Sequence, residues 1–264
     1  APGSTGRMYR NARQGQFVYW SDRMDLTGQA SVQNVIPGDF NNDGTVDLLL
    51  LGPDSVLLSN RDGSRLDRAS DDSSLSNLLS GMIVTDAEIL DFDNDGFHDF
   101  VVSGIFGSEG AGVRLIRNLG KNQFEDATDL LPDHAAGTLV ASGDIDGDGD
   151  IDLVRLDNQL RIWKNEGGNN NRWIDARLAA ALRGSGKNNF YGIGSTIELN
   201  TETHYQSALV TKPTTHFGLG QHDQADVMRV IWPNGVPQNR VLPETNTRFV
   251  EEQRLKGSCP SLST

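Results

Sequence analysis

Apolar positions along the chain fall in short runs bounded by Gly, Asn and Asp, and the runs recur in a fixed order. Val35-Ile36, Ile89-Leu90 and Leu139-Val140 each precede an acidic stretch. Leu48 to Leu51, Phe100 to Val102 and Leu153-Val154 each follow one. Runs this short, flanked by turn formers, predict buried β-strands joined by hairpin-like loops. A second phrase, two apolar residues, a polar residue and Asn, appears at Met8-Tyr9-Arg10-Asn11, Leu57-Leu58-Ser59-Asn60, Leu115-Ile116-Arg117-Asn118 and Ile162-Trp163-Lys164-Asn165. Interleaved, the two phrases predict a four-stranded module: strand, acidic loop, strand, turn, strand, turn, strand. In the first full module the strands are expected near 33–40, 46–52, 55–60 and 64–69. The next two modules span roughly 85–128 and 137–178, and a half-module leads from 7 to about 26. A four-stranded unit repeating at this period predicts a β-propeller blade.

Three blades and a half fall short of the four or more that closed propellers use, so the expectation is a partial or open propeller. The chain also opens in mid-repeat, which favours a fragment or processed piece of a longer protein. From about Asn170 the pattern changes. Segments 193–200, 205–211 and 226–232 run or alternate like strands, and Gly, Asn and Pro fill their connections. They predict a β-sandwich-like C-terminal domain. Ile174 to Arg183 has a helical spacing but reads equally as a strand entering a turn. FGLG at Phe217 to Gly220 and WPNG at Trp232 to Gly235 read as turns, with Trp232 as a core anchor. The fold class is therefore all-β, with repeats over 1–168, a second β domain over 169–254 and a tail over 255–264.

The acidic loops carry the chemistry. They read DFNNDGTVD from Asp39, DFDNDGFHD from Asp91 and DIDGDGDID from Asp144. Positions one, three, five and nine hold Asp39, Asn41, Asp43 and Asp47, then Asp91, Asp93, Asp95 and Asp99, then Asp144, Asp146, Asp148 and Asp152. Alternate oxygens on a curled loop suit a hard divalent cation, and the glycine at position six allows the sharp turn. The backbone carbonyl at position seven, from Thr45, Phe97 or Asp150, supplies a further ligand. Three Ca²⁺ sites are expected, the first weaker because Asn41 replaces an acid. An isolated Asp- and Gly-rich stretch is usually a solvated turn. Three copies in one register argue for a ligand set. The EF-hand is excluded, because position twelve is Leu50, Val102 or Arg155 rather than a bidentate Glu.

The loops change how the net charge of −13 is understood, since they hold twelve of the 36 Asp and Glu residues. The acidity is a ligand supply. No basic stripe exists to neutralise phosphates or an anionic membrane surface, so nucleic acid and membrane insertion are not expected. Cys259 is the single cysteine, which rules out an internal disulfide. Cation availability favours an extracellular or periplasmic address. His98, His134, His204, His216 and His222 form no zinc spacing, and no nucleophile elbow or P-loop occurs. His98, at loop position eight, is expected to be solvated and turned away from the metal.

The loops with their flanking strands resemble FG-GAP/VCBS repeats, the blade units also found in integrin α-chain propellers. Trp173, Leu178, Gly192, Gly194, His216, Phe217, Gly218, Leu219, Gly220, Val230, Trp232, Pro233 and Gly235 carry a pattern that resembles the ASPIC/UnbV domain. The pairing resembles the cartilage-acidic-protein-like family. That resemblance implies a non-catalytic, extracytoplasmic role in adhesion or assembly, with a protein or glycan ligand. Two further roles stay open: a structural subunit of a larger assembly, and a glycan-active enzyme using paired carboxylates.

Overall fold

A computed structural model describes residues 7–254 apart from 13, 26–30, 61, 70–72, 108–109, 133–136, 168–169, 182–187 and 203. His134, Cys259, the tail and the end of the Ile174 to Arg183 stretch lie outside the described residues. The described residues fall into two compact units, one of 7–92 with 97–167, the other of 93–96 with 170–254.

The first unit is a succession of antiparallel sheets in the order of the sequence repeats. A hairpin pairs β1 (Tyr9–Asn11) with β2 (Phe17–Tyr19). A four-stranded sheet follows, made of β3 (Asn34–Gly38), β4 (Asp47–Leu51), β5 (Val56–Asn60) and β6 (Leu66–Arg68). After a short helix, α1 (Ser73–Leu78), comes a second sheet of β7 (Met82–Leu90), β8 (Asp99–Phe106), β9 (Gly110–Asn118) and β10 (Phe124–Asp126). The third sheet has three strands, β11 (Thr138–Gly143), β12 (Asp152–Leu156) and β13 (Leu160–Trp163). Each sheet is a meander, and successive sheets stack as β-propeller blades.

Period-two alternation explains the stacking. In β4 and β5, Leu49, Leu51 and Leu57 turn one way and pack with Phe100, Val102 and Ile116 of the next blade. Leu50, Val56 and Leu58 turn the other way toward Met8 and Trp20. The second blade repeats the scheme, sending Val101, Val113 and Leu115 against Leu153 and Trp163 of the third. The central strands of the first two full blades are thus buried on both faces, which is why they read as continuous apolar runs.

The second unit holds two sheets around one core. In the first, β14 (Arg172–Ala179) lies between β17 (Thr214–Gly220), antiparallel, and β20 (Thr247–Glu252), parallel. The second orders β16 (Tyr205–Leu209), β15 (Thr196–Asn200), β18 (Val227–Ile231) and β19 (Pro237–Val241). Ile174, Leu178 and Phe217 of one sheet share a cluster with Ile197, Met228, Val230 and Trp232 of the other. Trp232 is 1 % exposed, as befits an anchor, and Gly235 closes the WPNG turn on the Trp232 carbonyl at a φ of +80°.

Two expectations need correction. The fourth strand of the third module does not join its blade: 172–179 pairs with β17 and β20 instead. The FGLG segment is strand, not turn. Phe217 and Leu219 alternate inward on β17, and the Gly218 carbonyl accepts from the Gln206 side chain at 2.7 Å.

Candidate metal-binding loops

Each acidic loop connects the first two strands of a blade, and its carboxylates first satisfy its own backbone. In the first loop Asp39 accepts from the N–H groups of Asp43 at 3.1 Å and Gly44 at 2.8 Å. Asp144 does the same in the third, accepting from Gly147 at 2.6 Å and Gly149 at 3.1 Å. Positions four and six are left-handed in all three copies: Asn42 (φ +55°) with Gly44 (+84°), Asn94 (+58°) with Gly96 (+89°), and Gly147 (+86°) with Gly149 (+94°). Asn and Gly are the residues that tolerate this conformation. Sequence reasoning found position six and passed over position four, where Asn-Asn-Gly carried the same signal.

Position nine closes the loop. Asp47 accepts from Phe40 N–H at 3.2 Å and Asn60 N–H at 2.8 Å; Asp99 from Phe92 at 3.1 Å and Asn118 at 2.7 Å; Asp152 from Ile145 at 2.9 Å and Asn165 at 2.8 Å. The repeated Asn phrase thus has a function that spacing alone did not disclose. Its backbone caps the last carboxylate at Asn60, Asn118 and Asn165, and the side chains of the latter two span blades. Asn118 Nδ2 donates to the Phe40 carbonyl of the preceding loop at 2.8 Å, and Asn165 Nδ2 to the Phe92 carbonyl at 2.7 Å.

The structure converges the acids of two loops. One carboxylate oxygen from each of Asp91, Asp93 and Asp99 lies within 4.8 Å of the others, and the same holds for Asp144, Asp146 and Asp152. The second-loop trio is buried throughout; in the third, Asp146 is exposed. Asp43, Asp95, Asp148 and Asp150 stand outside these groups, and the first loop, with Asn41 at position three, forms no trio of acids. Thr45, Phe97 and Asp150 occupy position seven, as spaced. Lys164 Nζ lies 2.8 Å from Asp146 and 3.6 Å from Asp148, an ammonium beside the third loop's carboxylates. Its hydrogen bond holds the Asp146 carboxyl below the usual range.

Burial dominates the electrostatics of the first loop. Burial raises Asp47 to about 7 and Asp39 to about 6, against backbone hydrogen bonds that pull the other way, and neighbouring carboxylates add to the rise. His98 does not behave as expected. It is half-buried, its Nδ1 lies 3.0 Å from the Asp39 carbonyl, and its ring meets Phe40 edge-on. Burial lowers its pKa, so it favours the neutral form.

Within the second unit a polar cluster surrounds residue 94. His216 Nδ1 lies 2.9 Å from Asp175 Oδ1, and Nε2 lies 2.6 Å from Asn94 Oδ1. Arg248 donates to Asp175 Oδ2 through Nε at 2.9 Å and Nη2 at 2.7 Å. Burial raises the Asp175 pKa, but His216 and Arg248 outweigh it and hold the carboxyl below the usual range. Each side-chain oxygen of Asp175 and the Asn94 Oδ1 thus has a partner within the cluster.

Residues 91–155 match the family model for the FG-GAP-like repeat, and 184–255 match that for ASPIC and UnbV. The chain is an FG-GAP repeat protein with an ASPIC/UnbV domain. No curated protein matches it. The FG-GAP segment starts at Asp91, the first residue of the second loop, and takes in both acid trios. FG-GAP repeats belong to an interaction-scaffold kind of domain. Among the described residues no helix is long and apolar enough to cross a membrane.

Proposed function

We propose that this FG-GAP protein is an extracytoplasmic, non-catalytic scaffold whose blades are rigidified by Ca²⁺ and which binds a protein or glycan partner. The observation that carries the reading is the convergence of three carboxylate oxygens within 4.8 Å in both the second and third loops. Like charges gathered so closely repel unless a cation lies among them. The donor set is entirely oxygen, with no His or Cys, which favours a hard ion over zinc. Asp91, Asp93 and Asp99 would hold one ion and Asp144, Asp146 and Asp152 another, with position-five carboxylates and position-seven carbonyls completing the sets. Asp39, Asn41, Asp43 and Asp47, with Thr45, would form a weaker third. Many-ligand oxygen sites of this kind suit Ca²⁺ better than the smaller Mg²⁺. The ion supplies charge neutralisation and loop rigidity.

A carboxylate committed to a cation and to backbone N–H groups is a poor proton carrier, which supports a binding role over glycan hydrolysis. Isothermal titration of EDTA-stripped protein with CaCl₂ tests the reading. At least two sites are expected, with Asp93→Ala removing one and MgCl₂ competing weakly. No binding up to millimolar CaCl₂ would refute it.

A further inference from the structure

Granted the Ca²⁺ reading, on which this rests, we propose that the second acidic loop is the tightest of the three sites because residues of the ASPIC/UnbV segment hold its turn in place, with His216 as the positioning residue.

The three loops share one backbone turn but differ in what surrounds its middle. At position three Asn41 is half-buried and Asp146 exposed, whereas Asp93 is buried. Position four follows suit: Asn42 is half-buried, Gly147 is exposed, and Asn94 is 1 % exposed. Residues 93–96 belong to the second unit, and its other residues cover them. Asn171 Nδ2 donates to the Asp93 carbonyl at 2.8 Å, and Gly220 N–H donates to the Asn94 carbonyl at 2.8 Å. His216 Nε2 meets Asn94 Oδ1 at 2.6 Å. A Cβ at Gly96 would come within 3.2 Å of the Gly218 carbonyl, so β17 packs directly on the turn.

These contacts fall where ligation is decided. Asn94 stands between Asp93 and Asp95, the ligands of positions three and five, and its backbone is left-handed at a φ of +58°. A turn free to sample other conformations carries those two carboxylates apart, and a turn held from outside keeps them together. Ligands ordered before the ion arrives bind it more tightly, because less freedom is lost on binding. His216 can do the holding because it is itself held. Its Nδ1 lies 2.9 Å from Asp175, which takes two N–H groups of Arg248, and Trp173 stacks on its ring at 6.3 Å. Outer contacts of this kind orient metal ligands. In the third loop an ion must instead displace Lys164 from Asp146.

Calorimetric titration of the EDTA-stripped full chain with CaCl₂ tests the proposal. Asp93→Ala and Asp146→Ala identify the second and third sites, and the second should be the tighter. Two variants of His216, made in the Asp146→Ala background, each keep one of its hydrogen bonds. A Gln amide reaches the place of Nε2 and so Asn94, and an Asn amide reaches only the place of Nδ1 and so Asp175. His216→Asn should weaken the second site about tenfold. His216→Gln should recover most of that loss, a contrast that general damage to the fold would not produce. Asn171→Ala, which removes the bond to the Asp93 carbonyl, should also weaken the site, and it serves if the His216 variants do not fold. Coupling is reciprocal, so CaCl₂ should slow amide exchange at Gly220 in the wild type and leave it unchanged in Asp93→Ala. Titrations that Asp93→Ala leaves unaltered would remove the ion from this loop and the proposal with it. A second site that binds Ca²⁺ equally well in the wild type, His216→Asn and Asn171→Ala, or less tightly than the third, would overturn the proposal alone and leave the Ca²⁺ reading standing.

Discussion

Asp99 is fully buried, and each of its oxygens takes a backbone N–H, from Phe92 and from Asn118. Asp99→Ala would leave both donors buried without acceptors, at about 1–3 kcal/mol each. Urea unfolding in EDTA should show a loss of roughly 2–6 kcal/mol, and a larger one in Ca²⁺, where Asp99 would also be a ligand. The first loop adds a pH dependence. The unfolded chain loses its Asp protons near pH ~4, whereas burial holds those of Asp39 and Asp47 to about 6 and about 7 in the fold. Between these limits the folded state binds more protons, so the metal-free protein loses stability as pH rises. His98, held neutral in the fold, pulls in the opposite direction as pH falls below its ordinary value. The Asp contribution is isolated by comparison with Asp47→Asn, which cannot titrate there. In EDTA the wild type should lose stability relative to that variant from pH ~4 to ~7, as urea melts at several pH values would show.

The blades were legible because period-two alternation and turn residues repeat together, and the predicted strands of the first module differ from β3 to β6 by a residue or two at their ends. Partners far away in sequence were not legible. The third module's span of 137–178 ran over β14, although the domain boundary at 168 excluded it, because local alternation does not reveal the parallel pairing with β20. FGLG looked like a turn because its glycines masked the inward alternation of Phe217 and Leu219. His98 was placed in solvent because Asp39, whose carbonyl it meets, lies on another module. The acidic loops were readable as ligand spacing, yet the asparagine that joins one blade to the next was visible only as a repeated letter. Asn118, 0 % exposed, donates to the carbonyls of Phe40 and His98 and accepts from Gly120 N–H. Asn118→Asp keeps the shape but sets a carboxylate against two carbonyls, so it should destabilise more than Asn118→Ala does. Denaturant midpoints of the two variants check the order.

Cation linkage decides how far loop chemistry reaches into the stability of the whole protein. A ligand held only by the folded state at 100 times its dissociation constant adds about 2.7 kcal/mol per site. One Ca²⁺ in each of the two loops with converged carboxylates would therefore add about 5 kcal/mol, and at about 2–4 °C per kcal/mol for a chain of this size the melting temperature should fall by about 10–20 °C in EDTA. The double variant Asp93→Ala, Asp146→Ala separates linkage from simple damage. It removes one acid from each trio and leaves the position-nine carboxylates, with their backbone hydrogen bonds, in place. Calcium should then no longer raise the melting temperature. In EDTA the variant should melt close to the wild type, because relieved repulsion within each trio is set against the lost Lys164–Asp146 ion pair. Calorimetry of both proteins with and without CaCl₂ gives all four temperatures. A variant that melts far below the wild type in EDTA would mean that these aspartates support the loops without a cation.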